Sequence, residues 1–119
     1  MELEIRNNLF VYGTLKKNHI RNVVLDGSEY LGEVKTLAIY TMVDLGAFPG
    51  ILEFGNQHIF GELYSVNKKT LQVCDSIEGH PNFYLRKKIL LSNKVEAFAY
   101  FLVDKKYEAF PKVAFGKWV

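Results

Sequence analysis

Short apolar blocks separated by turn residues run along most of the chain, and this pattern predicts β-strands. The first block, 7–15, is apolar on both faces through Leu9 to Tyr12, so we expect a central strand rather than a solvated edge. Residues 18–25 suit a short helix or turn, and Gly55 with Asn56 suits a turn. The other predicted strands are 29–43 (with a bulge or corner at Gly32), 51–54, 59–64, and a hairpin of 84–91 with 95–103.

One segment has a helical period instead. Between residues 67 and 77, Leu71, Cys74 and Ile77 fall on one face of a helix. Asn67 is placed to cap its start, and the glycine and proline after residue 78 are placed to end it. About six short strands with one or two helices predict a compact α+β domain. Its sheet should be curled or closed, because closure removes exposed edges.

Composition narrows the function classes. The chain has 119 residues, 49% of them apolar, so we predict one domain over residues 1–119 with a single core. The net charge of +2 comes from interspersed acidic and basic residues, which predicts no nucleic-acid partner. Glu2 and Glu4 interrupt the apolar N terminus, and no stretch approaches membrane-spanning length. We therefore expect a cytoplasmic protein with no membrane partner.

Cysteine and histidine usage excludes other kinds of site. Cys74 is the single cysteine, which excludes a disulfide framework, and its place on the apolar stripe predicts a core position. The three histidines are spread along the chain without metal-ligand spacing, so we expect no metal site. The C-terminal segment is rich in aromatic residues and is predicted to pack back on the body; these are Tyr107, Phe110, Phe115 and Trp118.

Glu78 is the most informative charged residue. In helical register it falls inside the stripe of Leu71 and Cys74, at the helix end where the dipole disfavours negative charge. Two interpretations stay open. The helix could end at Ile77 with Glu78 turned to water, or Glu78 could be a partly buried carboxylate with a raised pKa, suited to proton transfer.

Five segments, taken together and in this order, resemble the γ-glutamylcyclotransferase family in its γ-glutamylamine cyclotransferase-like (AIG2-like) branch. They are "VYGTLKK" after the first strand, "AFPGIL" at 47–52, "IFGELY" at 59–64, "DSIEGHPNFYLR" at 75–86 and "FGKW" at 115–118. The resemblance implies a small mixed β-barrel with one or two flanking helices around a central cavity. Where the family often has glycine after the basic pair, this chain has Asn18, which tolerates the left-handed region.

The resemblance also implies a reaction. The α-amine of a γ-glutamyl amine or amide attacks its own γ-carbonyl, releasing 5-oxoproline and a free amine without cofactor or metal. The implied general acid/base is Glu78, because one carboxylate can accept the proton of the ammonium and return it to the leaving group. The residues implied to cradle the small-molecule substrate, with backbone N–H groups facing the oxyanion, are Tyr12, Gly13, Thr14 and Leu15.

Other residues keep two interpretations. Tyr84 could bond the substrate or Glu78, or only pack. Arg86 could bind the substrate α-carboxylate or, as we favour, tie down Asp75. Phe48 and Pro49 could wall the pocket or anchor their loop.

The function also has alternatives. One is a non-catalytic small-molecule-binding module that retains the same cavity. Another is removal of a γ-glutamyl protecting group in a biosynthetic pathway, by the same chemistry. A third is a scaffold that binds a partner through Trp118.

Overall fold

The structure is a computed structural model and describes residues 5–119. Residues 1–4, including the two glutamates that argue against a signal segment, lie outside the described residues. The elements in chain order are β1 Arg6–Val11, β2 Glu29–Lys35, β3 Tyr40–Asp44, β4 Pro49–Gln57, β5 Phe60–Asn67, α1 Lys68–Glu78, β6 Tyr84–Leu90 and β7 Glu96–Leu102. Short 3-10 turns lie at Asn22–Leu25, Lys105–Ala109 and Ala114–Gly116. None of the helices in this part of the chain is long and apolar enough to cross a membrane.

The first strand is central, as predicted. The larger sheet has the order β2-β5-β1-β7-β6, and β1 runs antiparallel to β5 and parallel to β7. Both faces of β1 are buried: Phe10 belongs to one core, and Leu9 and Val11 belong to a second core that includes the apolar face of α1. This two-sided burial explains the continuous apolar run in the sequence.

The α+β class is confirmed, but the hydrogen bonding does not close a barrel. β3 and β4 form a separate two-stranded ribbon. The edge strands β2 and β6 meet only beyond their ends, through a single bridge between Thr36 and Leu91. Thr36 is fully buried, and its hydroxyl accepts a hydrogen bond from the Ile59 N–H at 2.9 Å. This contact holds the chain at the point where it leaves β2 and turns into the ribbon. The sheet is therefore strongly curled and open.

Two local predictions are wrong. Residues 29–43 form two strands rather than one, because the chain changes sheets at Thr36. Gly55 and Asn56 lie within β4 instead of forming a turn, and the pairing jumps from Tyr40–Gln57 to Thr41–Leu52. The bulge this creates is held by the Thr41 hydroxyl, which donates to the Phe54 carbonyl at 2.7 Å. By contrast, the predicted bulge at Gly32 is confirmed by a register shift between Tyr30 and Gly32.

The helix begins and ends as its sequence predicts. Asn67 Oδ1 accepts from the Thr70 N–H at 2.8 Å, and Gly79 ends the helix in the left-handed region with φ 67° and ψ 34°. Leu71 and Cys74 are buried on its inner face. Glu78 is the last helical residue, so it keeps the register of that face.

The C-terminal segment packs back only in part. Trp118 packs on the first core, and Tyr107 meets Phe83 edge-on with ring centroids 5.7 Å apart. The prediction is wrong for Phe115, whose side chain is 86% exposed. Its neighbour Gly116 makes the close approach instead, since a Cβ there would lie 2.0 Å from the His58 carbonyl oxygen.

Candidate active site

A pocket lies between the C-terminal ends of β1 and α1. It brings together seven residues that the sequence analysis offers for a site: Glu78, Tyr12, Gly13, Thr14, Leu15, Pro49 and Tyr84. The lining residues are Phe10, Val11, Tyr12, Gly13, Thr14, Leu15, Arg21, Phe48, Pro49, Glu78, Tyr84 and Tyr100. Most of this wall is apolar or aromatic, a composition typical of small-molecule sites.

The loop after β1 is held by its carbonyl groups. The Gly13 carbonyl accepts from the Lys16 N–H at 3.1 Å, and the Thr14 carbonyl accepts from the Arg21 N–H at 3.0 Å. The Leu15 carbonyl accepts from the Asn22 side-chain amide at 2.8 Å. All three carbonyls therefore face the turn at 16–22.

This arrangement determines where the loop's N–H groups point. Because a trans peptide is planar, the N–H of Thr14 points opposite to the Gly13 carbonyl, and the N–H of Leu15 opposite to the Thr14 carbonyl. Both N–H groups thus point away from the turn, and neither donates to another group within residues 5–119. Gly13 also permits close packing, since a Cβ there would lie 3.0 Å from the Pro49 ring.

Glu78 is a half-buried carboxylate in this pocket. Burial raises the pKa of Glu78 from 4.5 to about 7, and the nearby Arg21 guanidinium acts in the opposite direction. The first of the two interpretations is wrong, because Glu78 stays in the helix and lines the pocket instead of turning to water; its role in proton transfer stays a prediction. A carboxyl with a pKa near 7 can exchange a proton at neutral pH.

Two tyrosine hydroxyls brace the pocket walls. Tyr84 Oη donates to the Pro49 carbonyl at 2.6 Å, which joins β6 to the start of β4. Tyr12 Oη donates to the Tyr100 carbonyl at 2.6 Å, which joins the loop to β7. Burial raises the pKa of Tyr12 and of Tyr84 above the ordinary value. Tyr84 thus lines the pocket, but its proton goes to Pro49 rather than to Glu78.

Arg86 does not line this pocket. Its guanidinium donates to Asp75 Oδ2 at 2.7 Å, and Tyr100 Oη donates to Asp75 Oδ1 at 2.7 Å. The favoured interpretation of Arg86 as a partner of Asp75 is confirmed. The cation that does line the pocket is Arg21, which the sequence did not single out because an arginine in a polar turn carries no periodic signal.

The Asp75 network yields a stability prediction. Asp75→Asn leaves an amide donor facing the Arg86 guanidinium, so we expect the free energy of unfolding to fall by about 1–3 kcal/mol in urea titrations at pH 7. The matched control is Glu53→Gln, which removes the more exposed ion pair between Glu53 and Lys87 and should change stability by less than about 1 kcal/mol. Equal losses in the two variants would contradict a special role for Asp75.

Comparison with known proteins identifies the family of the chain. Residues 9–119 match the family described as "Gamma-glutamyl cyclotransferase, AIG2-like". A Methanocaldococcus jannaschii protein provisionally named a γ-glutamylcyclotransferase is 39% identical over 101 residues, covering 78% of this chain and 82% of its own. The γ-glutamylaminecyclotransferase A of Danio rerio is 32% identical over 108 residues, covering 78% and 67%.

A solved structure confirms the fold. The crystal structure of an AIG2-like protein from Mus musculus superposes with a TM-score of 0.82 over 96% of this chain and 88% of the mouse chain, at 23% identity. The sequence match covers both the pocket loop and the helix that carries Glu78. The chain therefore belongs to the γ-glutamyl cyclotransferase, AIG2-like family, and it is a cyclotransferase.

Proposed function

We propose that the protein converts a γ-glutamyl amine or amide to 5-oxoproline and a free amine in the pocket between β1 and α1. One observation carries the proposal. A carboxyl with its pKa raised to about 7 and two N–H groups without a partner in residues 5–119 lie on the walls of one mostly apolar pocket. The first group suits proton transfer, and the second suits a developing oxyanion.

The reaction begins with proton removal. The Glu78 carboxylate accepts a proton from the substrate α-ammonium, and the freed amine attacks the γ-carbonyl carbon. A C–N bond forms while the carbonyl π electrons move to oxygen. The Thr14 and Leu15 N–H groups donate to the resulting oxyanion; loss of one such donor typically costs about 2.7–4 kcal/mol.

Collapse of the intermediate completes the step. The oxyanion re-forms the carbonyl, the original C–N bond breaks, and the leaving nitrogen takes the proton held by Glu78. The ring nitrogen, which still carries two hydrogens and a positive charge, gives one proton to the Glu78 carboxylate, which passes it to the released amine. 5-Oxoproline and the amine leave, and Glu78 returns to its carboxylate form. A pKa close to the working pH serves both transfers, because the group must accept and donate in one cycle.

The direct test is product formation. Purified protein is incubated with γ-glutamyl-lysine and with several γ-glutamyl dipeptides, and 5-oxoproline is measured by chromatography. We expect product from at least one of them. Binding of 5-oxoproline without turnover of any γ-glutamyl compound would favour the non-catalytic binding module instead. The amine that the protein prefers as leaving group among these compounds also tests the alternative that it removes a γ-glutamyl protecting group.

The loop after β1 can be tested through its glycine. Gly13→Ala adds a Cβ 3.0 Å from the Pro49 ring and shifts the loop, so we expect kcat/KM to fall by about 10-fold or more, consistent with loss of part of one oxyanion contact. Gly27→Ala is the control for a loss of stability alone, because Gly27 lies outside the pocket and its φ of 84° makes an alanine there strained; its kinetics should be unchanged. Unchanged kinetics in Gly13→Ala, with the fold intact, would contradict the assigned role of the loop.

A further inference from the structure

Arg21 stands at the mouth of the pocket, and its position is set by the loop it faces. Its backbone N–H donates to the Thr14 carbonyl at 3.0 Å, so the residue is anchored beside the loop proposed to hold the γ-carbonyl. The side chain is exposed yet lines the pocket together with Glu78. Within residues 5–119 Arg21 forms no ion pair with an acidic side chain.

The charges of the pocket are sparse. Among its twelve lining residues, Arg21 is the only cation and Glu78 the only anion. A γ-glutamyl group has two charged substituents on its α-carbon, an ammonium and a carboxylate. The ammonium must approach Glu78 if that residue is to take its proton. The carboxylate then needs a positive partner of its own, since an unpaired charge in a mostly apolar wall is unfavourable.

We propose that Arg21 binds the α-carboxylate of the γ-glutamyl group and thereby selects substrates that carry it. This inference rests on the proposed function and assigns a specificity-determining residue to it. A guanidinium presents paired N–H donors that match a carboxylate. In this arrangement the ammonium lies at Glu78, the carboxylate at Arg21 and the γ-carbonyl at the N–H groups of Thr14 and Leu15. The γ-glutamyl group of the substrate is then folded back, so that its α-nitrogen meets its γ-carbonyl carbon.

The experiment compares two substrates in two proteins. One substrate is a γ-glutamyl amide, and the other is the 4-aminobutyryl amide of the same amine, which has a hydrogen in place of the α-carboxylate and cyclises to pyrrolidin-2-one. In Arg21→Ala we expect kcat/KM for the γ-glutamyl amide to fall by about 10- to 100-fold, the range for loss of a charged hydrogen bond at a partly exposed site. The 4-aminobutyryl amide should change by less than about threefold. The two substrates differ in intrinsic reactivity, but this difference cancels when kcat/KM of the variant is divided by kcat/KM of the wild type for each substrate.

Two further variants make the comparison specific. Arg21→Lys keeps the charge and should recover part of the preference for the γ-glutamyl amide. Lys105→Ala removes an exposed cation outside the pocket and should leave both rates unchanged. Equal losses on both substrates in Arg21→Ala would overturn the inference, because Arg21 would then act through the fold or through Glu78.

A binding readout separates this inference from the proposed reaction. If the wild type makes no product from either substrate, the proposed function fails, and Arg21 is then judged by NMR titration with 5-oxoproline and pyrrolidin-2-one. We expect Arg21→Ala to weaken 5-oxoproline binding by about 10-fold or more and to leave pyrrolidin-2-one unaffected, since only the first carries the carboxylate. Equal affinity of both proteins for 5-oxoproline overturns the assignment.

Discussion

Glu78→Gln is expected to lower kcat by about 10²- to 10⁴-fold, the range that general acid–base groups contribute. Glutamine has nearly the same shape and can still fill the end of α1, but it can neither accept the ammonium proton nor return one to the leaving nitrogen. The loss should therefore appear mainly in kcat, with substrate binding largely kept. Steady-state release of 5-oxoproline measures it.

The pH profile gives this prediction a second readout. Only the carboxylate form of Glu78 can act as a base, and burial raises its pKa to about 7. In the wild type kcat/KM should therefore rise as the pH increases through about 7, and this rise should be absent from the residual activity of Glu78→Gln. Glu108→Gln is the matched control, because Glu108 is exposed and lies outside the pocket. Full activity in Glu78→Gln would remove Glu78 from the mechanism.

Local features of the sequence were enough to place Glu78 in register with the buried face of a helix. The position of Glu78 follows from helical register, since Leu71 and Cys74 define the buried face and Gly79 ends the helix one residue after the acid. A loop after the buried first strand also follows from the local pattern, whereas its place in a pocket came only from the resemblance. Each inference uses residues that are neighbours along the chain, and the resemblance supplied the reason to pair them.

The features that sequence analysis did not predict depend on contacts between residues that are distant along the chain. Arg21 reaches the pocket through a hydrogen bond to Thr14, and nothing in its own segment signals that contact. The break after β2 depends on Thr36 meeting Ile59, and the bulge in β4 depends on the Thr41 hydroxyl. Periodicity and turn signals do not report such contacts, so the prediction of one long strand at 29–43 and of an early turn at Gly55 was wrong.

Glu78→Gln should also stabilise the folded protein at alkaline pH. The folded-state pKa of Glu78 is raised from 4.5 to about 7, so between these values the folded chain keeps a proton that the unfolded chain has released. The stability associated with the protonated carboxyl is fully present below about pH 4.5 and is lost as the pH rises through about 7. Glutamine does not ionise in this range, so the variant does not lose this stability as the pH rises.

The magnitude of the gain follows from linkage. At about 1.4 kcal/mol per pKa unit the shift corresponds to at most about 3.5 kcal/mol, and partial solvent access reduces it, so we expect about 1–3 kcal/mol at pH 8.5. Urea unfolding at pH 5 and pH 8.5 measures the difference, which should be small at the lower pH, while Glu108→Gln should show no such change. A constant difference at both pH values would contradict burial as the cause. Since the proposed reaction needs a carboxyl that is difficult to ionise, the same substitution that removes catalysis should make the fold more stable at the pH where the enzyme works.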